Sequence, residues 1–141
     1  MLYTGEVLRE ALTAPPPPTN PLITDFLYEH SICLLTGQAG KGKSVLAIQI
    51  AASLSSGTPL FSHLEIPTPR RVYYLQLEGA LEETLRRLHY LQEAAPTDTT
   101  RLWLDYDKGF TTLDSRVVRA KIQQITTACQ PPIDLIILDP L

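Results

Sequence analysis

Four short apolar runs separated by amphipathic stretches constrain this chain more than any other feature. Ser31 to Thr36 reads SICLLT, Arg71 to Glu78 reads RVYYLQLE, Arg101 to Asp105 reads RLWLD, and Asp134 to Asp139 reads DLIILD. Their leucine, β-branched and aromatic content over a few residues predicts strands. Helical spacing fills the intervals. Lys43 to Ser56 carries Val45, Leu46, Ile48, Gln49 and Ala52, with Gly57 as its C-cap. Ala80 to Glu93 sets Leu81, Leu85, Leu88 and Leu91 on one face. Asp114 to Gln130 opens on a capping-type Asp and carries Val118, Ile122, Ile125 and Cys129 as a stripe. Strand and helix in strict alternation predict an α/β fold, a parallel sheet with crossover helices. Runs this continuously apolar imply a sheet covered on both faces, hence three layers.

Upstream of this alternation the pattern changes. Tyr3 to Leu12 is expected to form a short helix. Ala14 to Pro21, APPPPTNP, cannot continue it, because proline lacks the amide proton and clashes with the preceding turn. Residues 1–21 are therefore expected to be a helix and a proline-rich linker. Residues 22–141 are expected to be the globular part.

A net charge of -3 argues against a domain that clamps nucleic acid with an overall positive field, although a local basic patch is compatible with it. Cys33 and Cys129 lie in apolar-patterned segments and are expected to be buried thiols of a reducing compartment. Two cysteines offer neither a disulfide framework nor a metal cluster. No apolar run approaches the roughly 20 residues of a membrane helix. Glu6, Arg9 and Glu10 interrupt the N-terminus where a secretory leader needs apolar residues. The expected location is cytoplasmic.

The first apolar run leads into TGQAGKGKS, which matches G-x-x-x-x-G-K-[ST] through Gly37, Gly42, Lys43 and Ser44. Phosphate binding needs those residue types. Gly37 and Gly42 are expected to adopt backbone angles closed to other residues, and Gly40 adds a third permissive point, so that successive N–H groups converge on an anion. The following helix directs its free N–H groups and about half a positive charge at the same point. Lys43 is expected to reach the β- and γ-phosphates of ATP and Ser44 to ligate Mg²⁺. The whole stretch Gly37, Gln38, Ala39, Gly40, Lys41, Gly42, Lys43, Ser44 and Val45 is expected to wrap the nucleotide phosphates. Lys41 fills a variable position, and a solvated side chain is its ordinary reading. The flanking strand and helix distinguish this loop from a basic turn.

Two carboxylates are expected at the same sheet edge. Asp139 ends LIIL and could hold a Mg²⁺-bound water there. Glu78 follows YYLQL and precedes Gly79, where it could polarise a water for attack on a γ-phosphate. Position alone gives Glu78 even standing with an exposed strand-end glutamate.

Taken together, LLTGQAGKGKS, RRVYYLQLEGALEETLRRL and LIILDPL resemble the RecA-like P-loop ATPases, and most closely the RepA-type AAA-family proteins of plasmids and phages. The resemblance covers roughly residues 22–141. It implies a RecA-like sheet, ATP hydrolysis with Mg²⁺, a homo-oligomer (a hexamer), and DNA as partner in replication or helicase work. It also implies that Glu78 activates water. RecA-like folds continue past the strand of Asp139, and their next strand inserts beside the phosphate-loop strand. This implies a chain incomplete at its C-terminus. The phosphate-loop strand and the Asp139 strand are then expected to face each other across about two strand spacings, roughly 10 Å. The resemblance also implies weak or absent activity for the chain alone.

Other classes fit less well. A kinase or nucleotide transferase on the same scaffold needs an arginine-rich lid, and no such cluster is apparent. A GTPase needs an N-K-x-D tetrapeptide, which does not occur. A non-catalytic nucleotide-binding fragment stays open, because an intact Gly42, Lys43, Ser44, Glu78 and Asp139 do not establish turnover.

Overall fold

The structure is a computed structural model, and it describes residues 4–15, 18–94, 96–107, 109 and 114–139. Tyr3, Pro16, Pro17, Pro140 and Leu141, which belong to segments singled out above, lie outside the described residues.

A three-stranded parallel sheet organises the fold, in the order β4-β3-β5. Strand β3 (Val72–Gln76) lies between β4 (Leu102–Tyr106) and β5 (Leu135–Asp139). Tyr74 stands beside Leu104 on one side and Ile137 on the other, and Gln76 beside Tyr106 and Asp139. Because side chains alternate along a strand, Val72, Tyr74 and Gln76 share a face with Leu135, Ile137 and Asp139.

That face packs on α2 (Lys43–Ser56), with α3 (Leu81–Ala94) alongside. Ile48, Ala51 and Leu54 of α2 meet Val72 and Tyr74 in the main core, which Leu88 and Leu91 of α3 join. The opposite face carries Leu75 and Leu77 under Val118 of α4 (Ser115–Ala128). The result is the expected three-layer α/β arrangement. Helix α2 is apolar around most of its circumference, which suits its central position. It ends on Gly57 at φ 76°, and a Cβ there would come within 2.9 Å of the Pro69 ring. Glycine is required at that position both for the left-handed turn and for the close approach. Asp114 caps α4, its carboxylate accepting from the Arg116 N–H.

Several expectations need correction. Ser31 to Thr36 forms no strand. Residues 31–42 are exposed throughout, with Ile32 fully accessible and Leu34 81% exposed. The reason is pairing. Both edges of β3 are taken, and among the described residues nothing aligns with this segment to accept its backbone bonds. No second strand therefore faces β5 across a gap. Cys33 shares this exposure and is not a buried thiol, whereas Cys129 is buried. The helical stripes are narrower than their leucine and isoleucine spacing implies: Leu85 is half-exposed and Ile122 also faces outward. Only β3 is nearly sealed; β4 and β5 are half-buried along most of their length.

A small antiparallel pair, β1 (Pro21–Ile23) with β2 (Leu27–Tyr28), precedes the sheet and contributes Leu22, Ile23 and Leu27 to the core. Helix α1 (Gly5–Thr13) overlaps the expected stretch, runs one residue past Leu12 and buries none of its residues.

Candidate functional site

The parallel sheet brings its C-terminal strand ends to one edge, and α2 begins against that edge. Asp139 is the last residue of β5 and is buried, at 7% exposure. Both of its oxygens are engaged. The Ser44 hydroxyl, on the first turn of α2, donates to Oδ1 at 3.0 Å. The Tyr74 hydroxyl, from β3, donates to Oδ2. The backbone is pinned as well, since the Leu77 N–H donates to the Asp139 carbonyl at 2.7 Å. Desolvation, reinforced by the bond to Asp139, holds the Tyr74 phenol well above the ordinary tyrosine range. It stays a donor.

A cleft of about 220 Å³ opens beside this group. Ser44, Gln76, Glu78, Arg87 and Asp139 line it. Glu78 is exposed at its mouth, two residues past the end of β3. The Gln76 side chain braces that turn, its Nε2 donating to the Glu78 carbonyl at 2.7 Å. Its Oε1 is sealed in the wall without a donor among the described residues. Gly79, at φ 80°, completes the turn, and its carbonyl accepts from the Tyr106 hydroxyl at 2.7 Å. Arg87 is held by Glu83, Nε to Oε1 at 3.1 Å.

The glycine-rich loop enters this region from the exposed arm. Gly40 (φ 73°) and Gly42 (φ 84°) adopt left-handed angles that disfavour a side chain. Gly37 does not: it lacks a positive φ, and a Cβ there would sit 3.8 Å from the Lys43 side chain, an ordinary contact. The backbone demand thus falls on Gly40 and Gly42, and the reading of Gly37 is corrected. Gly42 is the N-cap of α2 and offers no side-chain acceptor to the first-turn N–H groups. The Lys43 ammonium folds back over the loop and donates to the carbonyls of Gly37 at 2.7 Å and Gln38 at 2.9 Å. Lys41 is exposed, as is Val45 at 44%.

The family model described as AAA domain matches residues 3–141. The chain belongs to the AAA domain family. No solved structure matches it. An AAA domain carries nucleotide binding and ATPase activity as its general chemistry, and in this AAA domain Ser44, just past the glycine-rich loop, meets the buried carboxylate and the cleft at one sheet edge. Among the described residues, no helix is long and apolar enough to cross a membrane, and no cluster of three or more His, Cys, Asp or Glu could hold a metal alone.

Mg²⁺ in such a domain needs few protein ligands, because it keeps waters and takes phosphate oxygens. The residues present fit that demand. Ser44 and Asp139 offer a hydroxyl and a carboxylate in direct contact, both hard oxygen donors, and the orphaned Gln76 Oε1 lies in the same wall.

Sequence reasoning brought Ser44, Glu78 and Asp139 to this edge but missed Tyr74 and Gln76. Alternation along YYLQLE puts both on one face, and that was the available signal. Which face, and opposite which residue, depends on the register with β5.

Proposed function

We propose that this AAA domain binds Mg²⁺–ATP on the loop from Gly37 to Val45 and hydrolyses it with Glu78 as general base. The observation that carries this reading is the hydrogen bond between Ser44 and Asp139. It joins the end of the glycine-rich loop to the end of a strand 95 residues away, with Glu78 on the same cleft. A loop serine with no purpose beyond solubility would have no reason to converge on a buried carboxylate.

In this reading Lys43 exchanges the carbonyls of Gly37 and Gln38 for phosphate oxygens, a charge-assisted contact stronger than a neutral one. The N–H groups at the start of α2 receive the rest of the phosphate charge. Ser44 and Asp139 would hold Mg²⁺, which supplies charge neutralisation on the phosphates. Glu78 orients a water and accepts its proton as the oxygen attacks the γ-phosphorus. The bond between that phosphorus and the bridging oxygen breaks, releasing ADP and phosphate.

The combination of motifs further supports a RepA-type ATPase, working as a homo-hexamer in the cytoplasm with DNA as partner, in replication or unwinding. DNA-stimulated turnover of a ring-sized species is the expected behaviour. A species that stays monomeric with ATP and ignores DNA would remove this finer assignment and leave the nucleotide site standing.

The nucleotide site itself is tested by titrating a fluorescent ATP analogue with Mg²⁺ into the wild type and Lys43→Ala. Loss of contacts worth roughly 1.5–3 kcal/mol predicts an affinity about 10- to 100-fold weaker for the variant. Equal affinities would overturn the loop assignment.

A further inference from the structure

We propose that Tyr74 is a positioning residue that fixes the Asp139 carboxylate for the Mg²⁺–nucleotide site, an inference that rests on the Mg²⁺–ATP reading above. Tyr74 is only 2% exposed and is among the largest side chains fully enclosed by the core. Its ring packs with Ile48, Leu54 and Val72. Packing alone is served by phenylalanine, and a hydroxyl in such an interior must find an acceptor to offset its desolvation. Here the acceptor is Asp139 Oδ2.

The sheet register makes this contact possible. Gln76 stands beside Asp139, and Tyr74 stands beside Ile137, two residues earlier on the same face. A diagonal neighbour at that spacing is within reach of an aromatic side chain. The carboxylate is thus held by hydroxyls from two different elements with unequal freedom. Tyr74 is locked in the core, whereas Ser44 is half-buried at the cleft. With Oδ2 fixed by Tyr74, Oδ1 is turned to Ser44 and to the space where a cation would be shared.

The chemistry of the donor matters too. An arginine or lysine in place of Tyr74 would neutralise Asp139 and compete with Mg²⁺. A neutral phenol orients the carboxylate and leaves its charge available.

Partners that orient a metal-ligating group typically matter 10- to 100-fold for metal affinity. The test is a Mg²⁺ titration of nucleotide-analogue binding in the full chain, comparing wild type, Tyr74→Phe, Asp139→Asn and the double variant, with each also measured in EDTA. Tyr74→Phe should raise the half-saturating Mg²⁺ about 10-fold and leave the affinity in EDTA within twofold. In the Asp139→Asn background the same change should add less than twofold, since the two residues act as one unit. Equal losses with and without Mg²⁺, or an unchanged Mg²⁺ requirement, would overturn the proposal while the nucleotide site stands. A wild type that binds no nucleotide would overturn both. As a reading that keeps the hydroxyl, 3-fluorotyrosine at position 74 should give a fluorine resonance that shifts with Mg²⁺ plus nucleotide and not with nucleotide in EDTA. An identical response in both conditions would also overturn it.

Discussion

The two halves of the proposed nucleotide site are built in opposite ways. The wall made by Gln76 at the end of β3 and Asp139 at the end of β5 is buried and bonded to the core. Asp139 alone engages Ser44, Tyr74 and the Leu77 amide. The arm over residues 31–42 is exposed at every position, and Lys43, which follows it at the start of α2, is satisfied by the arm's own carbonyls. One half is held by the core of the protein, the other only by itself. The difference teaches that the wall can be organised before a nucleotide arrives, whereas the loop has contacts to exchange when one does.

Substitutions can break or sharpen that contrast. The largest effect is expected at Glu78, on the rim of the wall. Glu78→Gln keeps the size and removes the proposed base, so turnover should fall by roughly 10²- to 10⁴-fold with nucleotide affinity unchanged. A variant with the wild-type kcat would take Glu78 out of the chemistry and leave the wall merely structural.

Next comes stability. Leu75, fully buried on the opposite face of β3, should cost about 2–5 kcal/mol when cut to alanine, read as a shift in the urea midpoint. A loss below 1 kcal/mol would mean that β3 is not the rigid half.

A smaller effect is expected at the other edge of the sheet. Lys121 lies 3.0 Å from Asp107 and 3.4 Å from Asp105. Burial pulls its pKa down, but the two carboxylates outweigh burial and hold it above the ordinary lysine value. A raised pKa means that the folded state binds the proton more tightly. The stability it adds is therefore complete below the ordinary lysine pKa, about 10.4, and is lost as pH rises through the higher folded value. Melting temperatures of wild type and Lys121→Met should converge on passing from pH 9 to pH 11. A constant difference would show that the methylene stem, not the charge, stabilises this corner.

The smallest effect belongs to the arm. Leu34→Ala, at an 81% exposed residue, should change stability by no more than about 0.5 kcal/mol. A loss as large as that of Leu75→Ala would erase the contrast, because it would require the arm to be packed.

What the sequence made legible divides along the same line. Local chemistry was readable: the start of α2 at Lys43, the cap at Asp114, the left-handed Gly42 and Gly57, and the carboxylate ending β5. Each depends on residues within one turn of itself. Pairing was not readable. SICLLT has the composition of a buried strand, but a strand exists only if another offers its backbone, and composition carries no information about that neighbour. The hairpin of β1 and β2 escaped for a related reason. Its strands span three and two residues, too few for alternation to register, and its turn uses Asp25 at φ 59° where the obvious marker would be glycine. Tyr74 looked like one more aromatic in a core strand, and only the register with β5 sets its hydroxyl on Asp139.

The strand order has a consequence for how the molecule opens. β3 is bonded along both edges, to β4 and β5, with α2 over one face and α4 over the other. Its amide protons can exchange with solvent only when the sheet itself comes apart, so they should report the free energy of global unfolding. The amides of residues 31–42 need no such event and should exchange at close to the rate of an unstructured chain. Tyr74 and Gly40 therefore belong to one proposed site but to opposite ends of the exchange timescale.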